Sequence, residues 1–270
     1  TQITAISKTY TGFTEDISNG NRVPSGAIAQ DGSLVLKLYY NRNSYPVTLN
    51  LNEGTINEGN ITNYIYGVGA TLPTNVTKTG YKFEGWYETG GFTGTQVTNI
   101  TETDMGEKTY YAKFTKRNDL SYTVNYLEEV TNKEIKPQKV VNNQVFESVI
   151  KSSDEAIEID GYNYAYPDKT ELLIGVNENV INIYYTKVTG LSYTVNFLEK
   201  GTGKILFSPD IQGDNTFGDI IKTSSRIIEI DGYNYDSCDK EELIIGTGEN
   251  VINIYYTKRN DLSYKVNYLE

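Results

Sequence analysis

The stretch LSYTVNYLE at residues 120–128 occurs three times, with small changes, in this chain of 270 residues. It returns as LSYTVNFLE at 191–199 and as LSYKVNYLE at 262–270, so each step is 71 residues. A fixed offset of this size is the sequence signature of a repeated structural unit. Two further blocks return at the same offset: IDGYNY at 159–164 and 230–235, and NVINIYYTK at 179–187 and 250–258.

The repeat and a second pattern divide the chain into five predicted segments. GFTED at 12–16 resembles the GYNYA of the repeat, whereas GYKFEGWYETGGF at 80–92 belongs to a different module. Only a few residues link these segments, which predicts small units held close together. We expect the C-terminal half of a related repeat at 1–43, a distinct module at 44–117, complete repeats at 118–188 and 189–259, and the first strand of another repeat at 260–270.

Alternating residue types predict that each repeat begins and ends with a strand. Apolar and polar residues alternate in 120–128 and again in 178–187, and β-branched and aromatic residues dominate both stretches. Between them, VFESVIKSSDEAIEI at 145–159 spaces its apolar residues as a short amphipathic helix does, with a counterpart at 217–230. The order strand, strand, helix, strand, strand predicts a small unit of the α+β class.

The composition excludes most familiar catalytic sites. The chain has no His and one Cys, so it cannot form a Ser–His or Cys–His nucleophile pair or a Cys/His zinc site. Units of about 70 residues rarely enclose a cleft for two catalytic carboxylates, so we expect neither enzyme activity nor a cofactor. A net charge of −11 without a basic cluster argues against nucleic acid and anionic membranes as partners.

Targeting signals are also missing from the sequence. No apolar run approaches the roughly 20 residues that a membrane-spanning helix needs, so we expect no membrane insertion in this stretch. The chain begins at Thr1 and not at Met, so we expect a fragment of a longer protein.

The motifs carry two family resemblances. The 71-residue repeat resembles the MucBP (mucin-binding protein) repeat of Gram-positive surface proteins, through YTVNYLEE at 122–129, DGYNY at 160–164 and INIYYTK at 181–187. The module at 44–117 resembles the Listeria–Bacteroides repeat known from internalin B-repeats, through YGVGATLP at 66–73, KTGYKFEGWYE at 78–88 and YYAKF at 110–114. Both resemblances imply β-grasp, ubiquitin-like modules in an elongated tandem array.

The same resemblances imply an extracellular, cell-wall-associated protein of the bacterial surface. The MucBP name implies an adhesin that binds host mucin, another glycan or a surface protein, with neighbouring repeats of the chain as further partners. Two alternatives stay open. One is a passive stalk or spacer that projects a binding domain. The other is a surface fibre that assembles when residues 260–270 add a strand to residues 1–43 of another copy. The resemblances assign no ligand-binding residue.

The glycine–aromatic element is the first candidate site. It occurs as TGF at 11–13, as TGY at 79–81 and in both copies of IDGYNY. In a binding site, the glycine would let a ligand approach the backbone and the tyrosine would stack on a sugar. In a structural element, the glycine makes a turn and the tyrosine fills the core. Recurrence in two kinds of unit favours the structural interpretation.

Other aromatic residues are further candidates. Trp86 is either a platform for sugar stacking or, with Phe83, part of the core at a strand irregularity, and the core is favoured. Adjacent tyrosines face opposite sides of a strand, so one of each pair is exposed or covers a neighbouring unit. The candidates for this outer position are Tyr39 or Tyr40, Tyr110 or Tyr111, Tyr184 and Tyr255.

Acidic clusters at 152–156 and 236–242 offer carboxylates that Ca²⁺ could use. Neither has the D-x-D-x-D-G spacing that arranges oxygen ligands in a loop, so a solvated surface is favoured and we expect no metal site. Cys238 stands where the sister repeat has Pro167, which argues against an essential role for the thiol.

Overall fold

The computed structural model describes residues 1–269. Within that range the regular structure consists of 24 β-strands and two four-residue 3₁₀ turns, with no α-helix. The α+β class predicted from the sequence is therefore wrong. A β-grasp module has a helix packed on its sheet, so the β-grasp expectation is not supported. No helix in residues 1–269 is long and apolar enough to cross a membrane.

Residues 1–43 form two separate pairs of short strands. The four strands, of three residues each, are β1 (Gln2–Thr4), β2 (Phe13–Glu15), β3 (Ser25–Ala27) and β4 (Tyr40–Arg42). β1 pairs with β3 and β2 pairs with β4, in both cases antiparallel.

The module that follows is built around one four-stranded sheet. Its eight strands are β5 (Ser44–Asn50), β6 (Thr55–Ile56), β7 (Asn63–Ile65), β8 (Ala70–Thr71), β9 (Val76–Thr77), β10 (Tyr81–Tyr87), β11 (Asn99–Ile100) and β12 (Lys108–Lys116). The sheet order is β10-β12-β5-β7, and β12 runs parallel to β5. Trp86 is 2% exposed, and its indole N–H donates to the Pro73 carbonyl at 2.7 Å. The prediction that Trp86 lies in the core is confirmed, as is the strand irregularity between Phe83 and Gly85.

The two 71-residue repeats have the same strands at matching positions. The first contains β13 (Leu120–Glu128), β14 (Glu134–Gln144), β15 (Val149–Lys151), β16 (Tyr162–Pro167), β17 (Glu171–Leu173) and β18 (Val180–Lys187). The second contains β19 (Leu191–Glu199), β20 (Ile205–Asn215), β21 (Ile220–Lys222), β22 (Tyr233–Cys238), β23 (Glu242–Ile244) and β24 (Val251–Lys258).

In each repeat the first and last strands lie side by side and parallel at the centre of a four-stranded sheet. The orders are β14-β13-β18-β16 and β20-β19-β24-β22. The predicted alternation is confirmed, because Tyr122, Val124 and Tyr126 are buried while the residues between them are not. The neighbouring parallel strand β18 contributes Ile181 and Ile183. The core is therefore formed by β-branched and aromatic side chains of the two central strands.

The helix predicted over 145–159 is replaced by β15 and a 3₁₀ turn over Ser152–Glu155. The counterpart over 217–230 is likewise β21 and a 3₁₀ turn over Thr223–Arg226. Near the start of each segment a residue has positive φ, Glu147 at 62° and Gly218 at 83°, and this conformation cannot continue into a right-handed helix. The β-branched residues after it pair instead with a neighbouring short strand, as Val149 does with Leu173.

By Cα proximity the chain divides into two compact units. One comprises Thr1–Leu120 together with Asn143–Phe146, and the other comprises Ser121–Asn142 together with the described residues from Glu147 onward. The five-segment division drawn from the sequence stays a prediction.

A buried polar cluster distinguishes the two repeats. Glu155 lies in the core of the first repeat, where it accepts hydrogen bonds from the Tyr122 hydroxyl at 2.8 Å and from Lys139 Nζ at 2.6 Å. Burial, reinforced by this hydrogen bond to a carboxylate, raises the pKa of Tyr122 to about 12. In the second repeat Arg226 takes the position of Glu155, and its guanidinium lies 5.4 Å from the ring centre of Tyr193.

Replacement of Tyr122 by Phe removes this hydrogen bond, and we expect a loss of about 1.5–3 kcal/mol in the free energy of unfolding. The matched change Tyr193→Phe should cost far less, because the Tyr193 hydroxyl has no hydrogen-bond partner among the described residues. The pKa of Tyr122 is higher in the folded than in the unfolded state. The stabilising effect of Tyr122 is therefore complete below pH 10 and lost as the pH rises towards 12. Urea denaturation of both variants between pH 7 and 12 measures this, and equal losses at the two positions would contradict it.

Candidate functional site

Four glycines share one backbone conformation and are each followed by an aromatic residue. They are Gly12 (φ 75°), Gly80 (φ 78°), Gly161 (φ 79°) and Gly232 (φ 79°), and we call them the acceptor glycines because their carbonyls accept the hydrogen bonds given below. The aromatic residues after them are Phe13, Tyr81, Tyr162 and Tyr233. Residues with a Cβ rarely adopt this left-handed conformation, so glycine is required by the turn itself. The interpretation of the element as a turn is confirmed.

Each acceptor glycine is tied to a linker residue that directly follows the last strand of its segment. The glycine carbonyl accepts a hydrogen bond from the backbone N–H of this linker residue. The N···O distances are 2.9 Å for Asn43 to Gly12, 3.0 Å for Arg117 to Gly80, 2.9 Å for Val188 to Gly161 and 2.9 Å for Arg259 to Gly232. The glycine turn therefore fixes the point at which the chain leaves one segment.

Three of the acceptor glycines are covered by an aromatic ring from later in the chain. The donor aromatics are Tyr66 on Gly12, Phe146 on Gly80 and Phe217 on Gly161. A Cβ built on these glycines would lie 2.2, 2.4 and 2.3 Å from the nearest ring atom, respectively, so no larger residue fits. Each donor ring also meets the aromatic residue after the glycine edge to face, with centroids 5.6–5.9 Å apart.

A backbone hydrogen bond accompanies each ring contact. The N–H of the donor aromatic donates to the carbonyl of the linker residue: Tyr66 to Asn43 at 3.0 Å, Phe146 to Arg117 at 2.8 Å and Phe217 to Val188 at 2.8 Å. One linker residue thus makes two backbone hydrogen bonds. Its N–H donates to the glycine earlier in the chain, and its C=O accepts from the donor aromatic later in the chain. We call this set of acceptor glycine, linker residue and donor aromatic a junction.

The donor side of each junction is anchored in its own part of the fold. The residue after the donor aromatic has positive φ: Gly67 (75°), Glu147 (62°) and Gly218 (83°). The N–H groups of these residues donate to the carbonyls of Glu102 at 2.7 Å, Ile174 at 2.9 Å and Ile245 at 2.8 Å. The ring is therefore presented by a fixed turn, which lowers the entropy cost of the contact.

The tyrosine of IDGYNY has different neighbours in the two copies. Tyr233 packs against the core of the second repeat, as the sequence predicted. Tyr162 is only half-buried, and its ring packs on Phe217 of the second repeat. Burial raises the pKa of Tyr162, and the nearby carboxylate of Glu128 adds to the effect, so the phenol stays neutral. The structural interpretation of IDGYNY thus holds, and its first copy also forms a contact between the two repeats.

The outward tyrosines differ from one pair to the next. Of the pairs in the last strands, Tyr110, Tyr185 and Tyr256 are buried and their neighbours Tyr111, Tyr184 and Tyr255 are half-buried. In the first segment, Tyr39 and Tyr40 are both half-buried. Tyr164 and Tyr166, on the edge strand β16, are more exposed, at 49% and 46%. The sequence did not single these two out.

The acidic candidates are engaged in ordinary contacts. In 152–156, Glu155 belongs to the buried cluster with Tyr122 and Lys139. In 236–242, Asp239 accepts from the backbone N–H and side-chain amide of Asn253, at 2.9 and 3.1 Å. Across residues 1–269, no group of three or more His, Cys, Asp or Glu side chains is placed to hold a metal ion. Cys238 is half-buried and not in a disulfide.

Comparison with known proteins identifies one segment of the chain. Residues 45–113 match the family model of the Listeria-Bacteroides repeat domain, which confirms the corresponding resemblance. The resemblance of the 71-residue repeats to MucBP stays a prediction. No curated protein matches the chain.

Two solved structures are similar to part of the chain. One is the crystal structure of Mub-RV, at 12% identity over 52% of this chain and 99% of that one, with a TM-score of 0.22. The other contains Streptococcal High Identity Repeats in Tandem (SHIRT) domains 3–4 from a cell surface protein, at 15% identity over 52% and 98%, also with a TM-score of 0.22. Scores this low carry no argument about fold or function.

Gly161 and Gly232 provide a matched pair for testing the junction. Both lie in IDGYNY with φ 79°, but only Gly161 is covered by a ring. Replacement by Ala should cost about 1–2 kcal/mol at either position, because of the left-handed backbone. At Gly161 the collision of Cβ with Phe217 should add roughly 1–3 kcal/mol. Urea denaturation of the two variants measures the difference, and equal destabilisation would show that the ring contact contributes nothing.

Proposed function

We propose that the chain is a non-enzymatic repeat region of a bacterial cell-surface protein, and that it acts as a spacer whose repeats are held together by the junctions. The observation that carries the proposal is the recurrence of one contact, made of the same backbone hydrogen bonds and the same kind of ring, at three places in the chain. The Listeria-Bacteroides repeat domain at 45–113 supports an extracellular repeat protein.

The junction between the two 71-residue repeats is the part best suited to a spacer. A short linker alone leaves neighbouring domains free to reorient. At Val188 both the N–H and the C=O of the linker residue are hydrogen-bonded, the first to Gly161 and the second to Phe217. A further hydrogen bond joins the Thr247 hydroxyl to Asp160 at 2.6 Å. These contacts restrict hinge motion between the repeats, as a spacer requires.

The net charge of −11 suits the same role. Negative charge distributed over the repeats keeps neighbouring copies of a surface protein soluble and apart. The two acidic candidates offer little to a reaction, since Glu155 is engaged in the buried cluster and Asp239 accepts two hydrogen bonds from Asn253.

Adhesion to host mucin, another glycan or a surface protein is the second candidate function. IDGYNY and Tyr185 line an open cavity of about 540 Å³ in the first repeat. Tyr164 borders it with an exposed ring, in edge-to-face contact with Tyr185 at 6.1 Å. Exposed tyrosines offer an apolar face and a hydroxyl group, which suits contact with sugars or proteins.

The spacer proposal predicts that residues 118–188 and 189–259 tumble as one body within the full chain. Replacement of Phe217 by Ala should give the two repeats separate, shorter rotational correlation times, because it removes the ring from Gly161. Ile211→Ala is the control, since Ile211 is 69% exposed and takes no part in the junction. Backbone ¹⁵N relaxation measures the correlation times, and independent tumbling of the unmodified repeats would contradict the proposal.

The second function is tested on the same full chain with immobilised mucin and a glycan array. As a spacer, the chain should show no binding above that of an unrelated acidic protein. Binding that is lost on Tyr164→Ala but kept on Ile211→Ala would favour the adhesin instead.

A further inference from the structure

The fourth acceptor glycine has the turn and the linker hydrogen bond of the other three but no donor aromatic. Gly232 has φ 79°, and its carbonyl accepts the Arg259 N–H at 2.9 Å, as at the filled junctions. Apart from Gly232 itself and its two neighbours in the chain, no described residue has an atom within 4 Å of a Cβ built at Gly232. Gly12, Gly80 and Gly161 are buried, whereas Gly232 is only half-buried.

The linker at this position is also built like a filled one. KRNDLSY at 258–264 is identical to KRNDLSY at 116–122. In both copies the arginine guanidinium donates two hydrogen bonds to the aspartate two residues later. The distances are 2.9 and 3.0 Å for Arg117 and 3.0 Å for both bonds of Arg259. The Arg117 carbonyl accepts the N–H of Phe146. Arg259 is exposed, whereas Arg117 of the filled junction is half-buried.

We propose that Gly232, Tyr233 and the carbonyl of Arg259 form an acceptor for the aromatic turn of a further repeat in the same polypeptide. The three filled junctions define the chemistry of the occupant. It is a Phe or Tyr whose N–H donates to the linker carbonyl, followed by a residue of positive φ whose own N–H is bonded within the arriving repeat. The proposal depends on junction geometry alone and not on where the protein is located or what it binds.

A second copy of the chain is a poor occupant by comparison. The three donor turns among the described residues, at Tyr66, Phe146 and Phe217, are already engaged within their own chain. A turn in trans would also lose the short linker that places the donor at high effective concentration. A repeat that follows Arg259 in the same chain has neither disadvantage, and LSYKVNYLE at 262–270 matches the opening strand of such a repeat.

The test extends the full chain by one repeat. Appending a copy of residues 200–259 directly after Glu270 continues the repeat in register, since Glu270 corresponds to Glu199 at the 71-residue offset. Segmental ¹⁵N labelling then allows hydrogen exchange of the copied Phe217 amide to be followed separately. We expect this amide to be protected to within about tenfold of the original Phe217 amide. We also expect the Tyr233 ring signals to shift when the repeat is added.

Two substitutions separate docking from backbone strain. Gly232→Ala in the extended chain should abolish the protection of the copied Phe217 amide. Gly201→Ala is the control, because Gly201 also has positive φ (83°) but nothing within 4 Å of a Cβ built on it, so protection should be unchanged. The proposal is overturned if the copied amide exchanges at an unprotected rate while the copied strands are themselves protected. Protection that survives Gly232→Ala would overturn it equally.

Discussion

The contact of an aromatic ring with a glycine of positive φ is the constraint on which the association of the repeats depends. The glycine provides two things at once: a left-handed turn, and a surface with no Cβ on which a ring can rest. The aromatic residue after it provides an edge-to-face partner, and the linker residue provides a hydrogen bond in each direction. No member of the junction suffices alone, because the ring must be aimed by its own turn and received by the turn of another segment.

The free energy that stabilises the fold of one repeat is larger than the free energy that one junction contributes to its association with the next. A unit of 71 residues has a stability of roughly 4–11 kcal/mol at the usual value per residue. The edge-to-face pair and the backbone hydrogen bond of one junction together contribute on the order of 1–3 kcal/mol. Each repeat therefore depends mainly on its own core of central strands, and the junction adds enough to fix its position relative to the next. This division suits a tandem array, in which neighbours contribute through nearest-neighbour terms.

The sequence predicted the parts of the fold that depend on period-2 patterns. The strands at 120–128 and 180–187 and the buried Trp86 are confirmed, because alternation and large aromatic residues specify a half-buried strand directly. The prediction of a helix over 145–159 was wrong because a few apolar residues at i, i+4 and i+5 fit a strand and a 3₁₀ turn equally well. The junction was missed because it joins Gly161 to Phe217, in different repeats. The recurrence of Phe146 as Phe217 at the 71-residue offset was a usable signal, but it does not name the partner.

Ring currents provide the most direct test of the junction. The α-protons of Gly12, Gly80 and Gly161 face an aromatic ring at close range, whereas those of Gly232 face none within 4 Å. In the NMR spectrum of the full chain, we expect the α-proton shifts of the first three glycines to be displaced well upfield and that of Gly232 to be ordinary. All four have nearly the same φ, so conformation cannot produce the difference. Similar α-proton shifts at the four glycines would contradict the account.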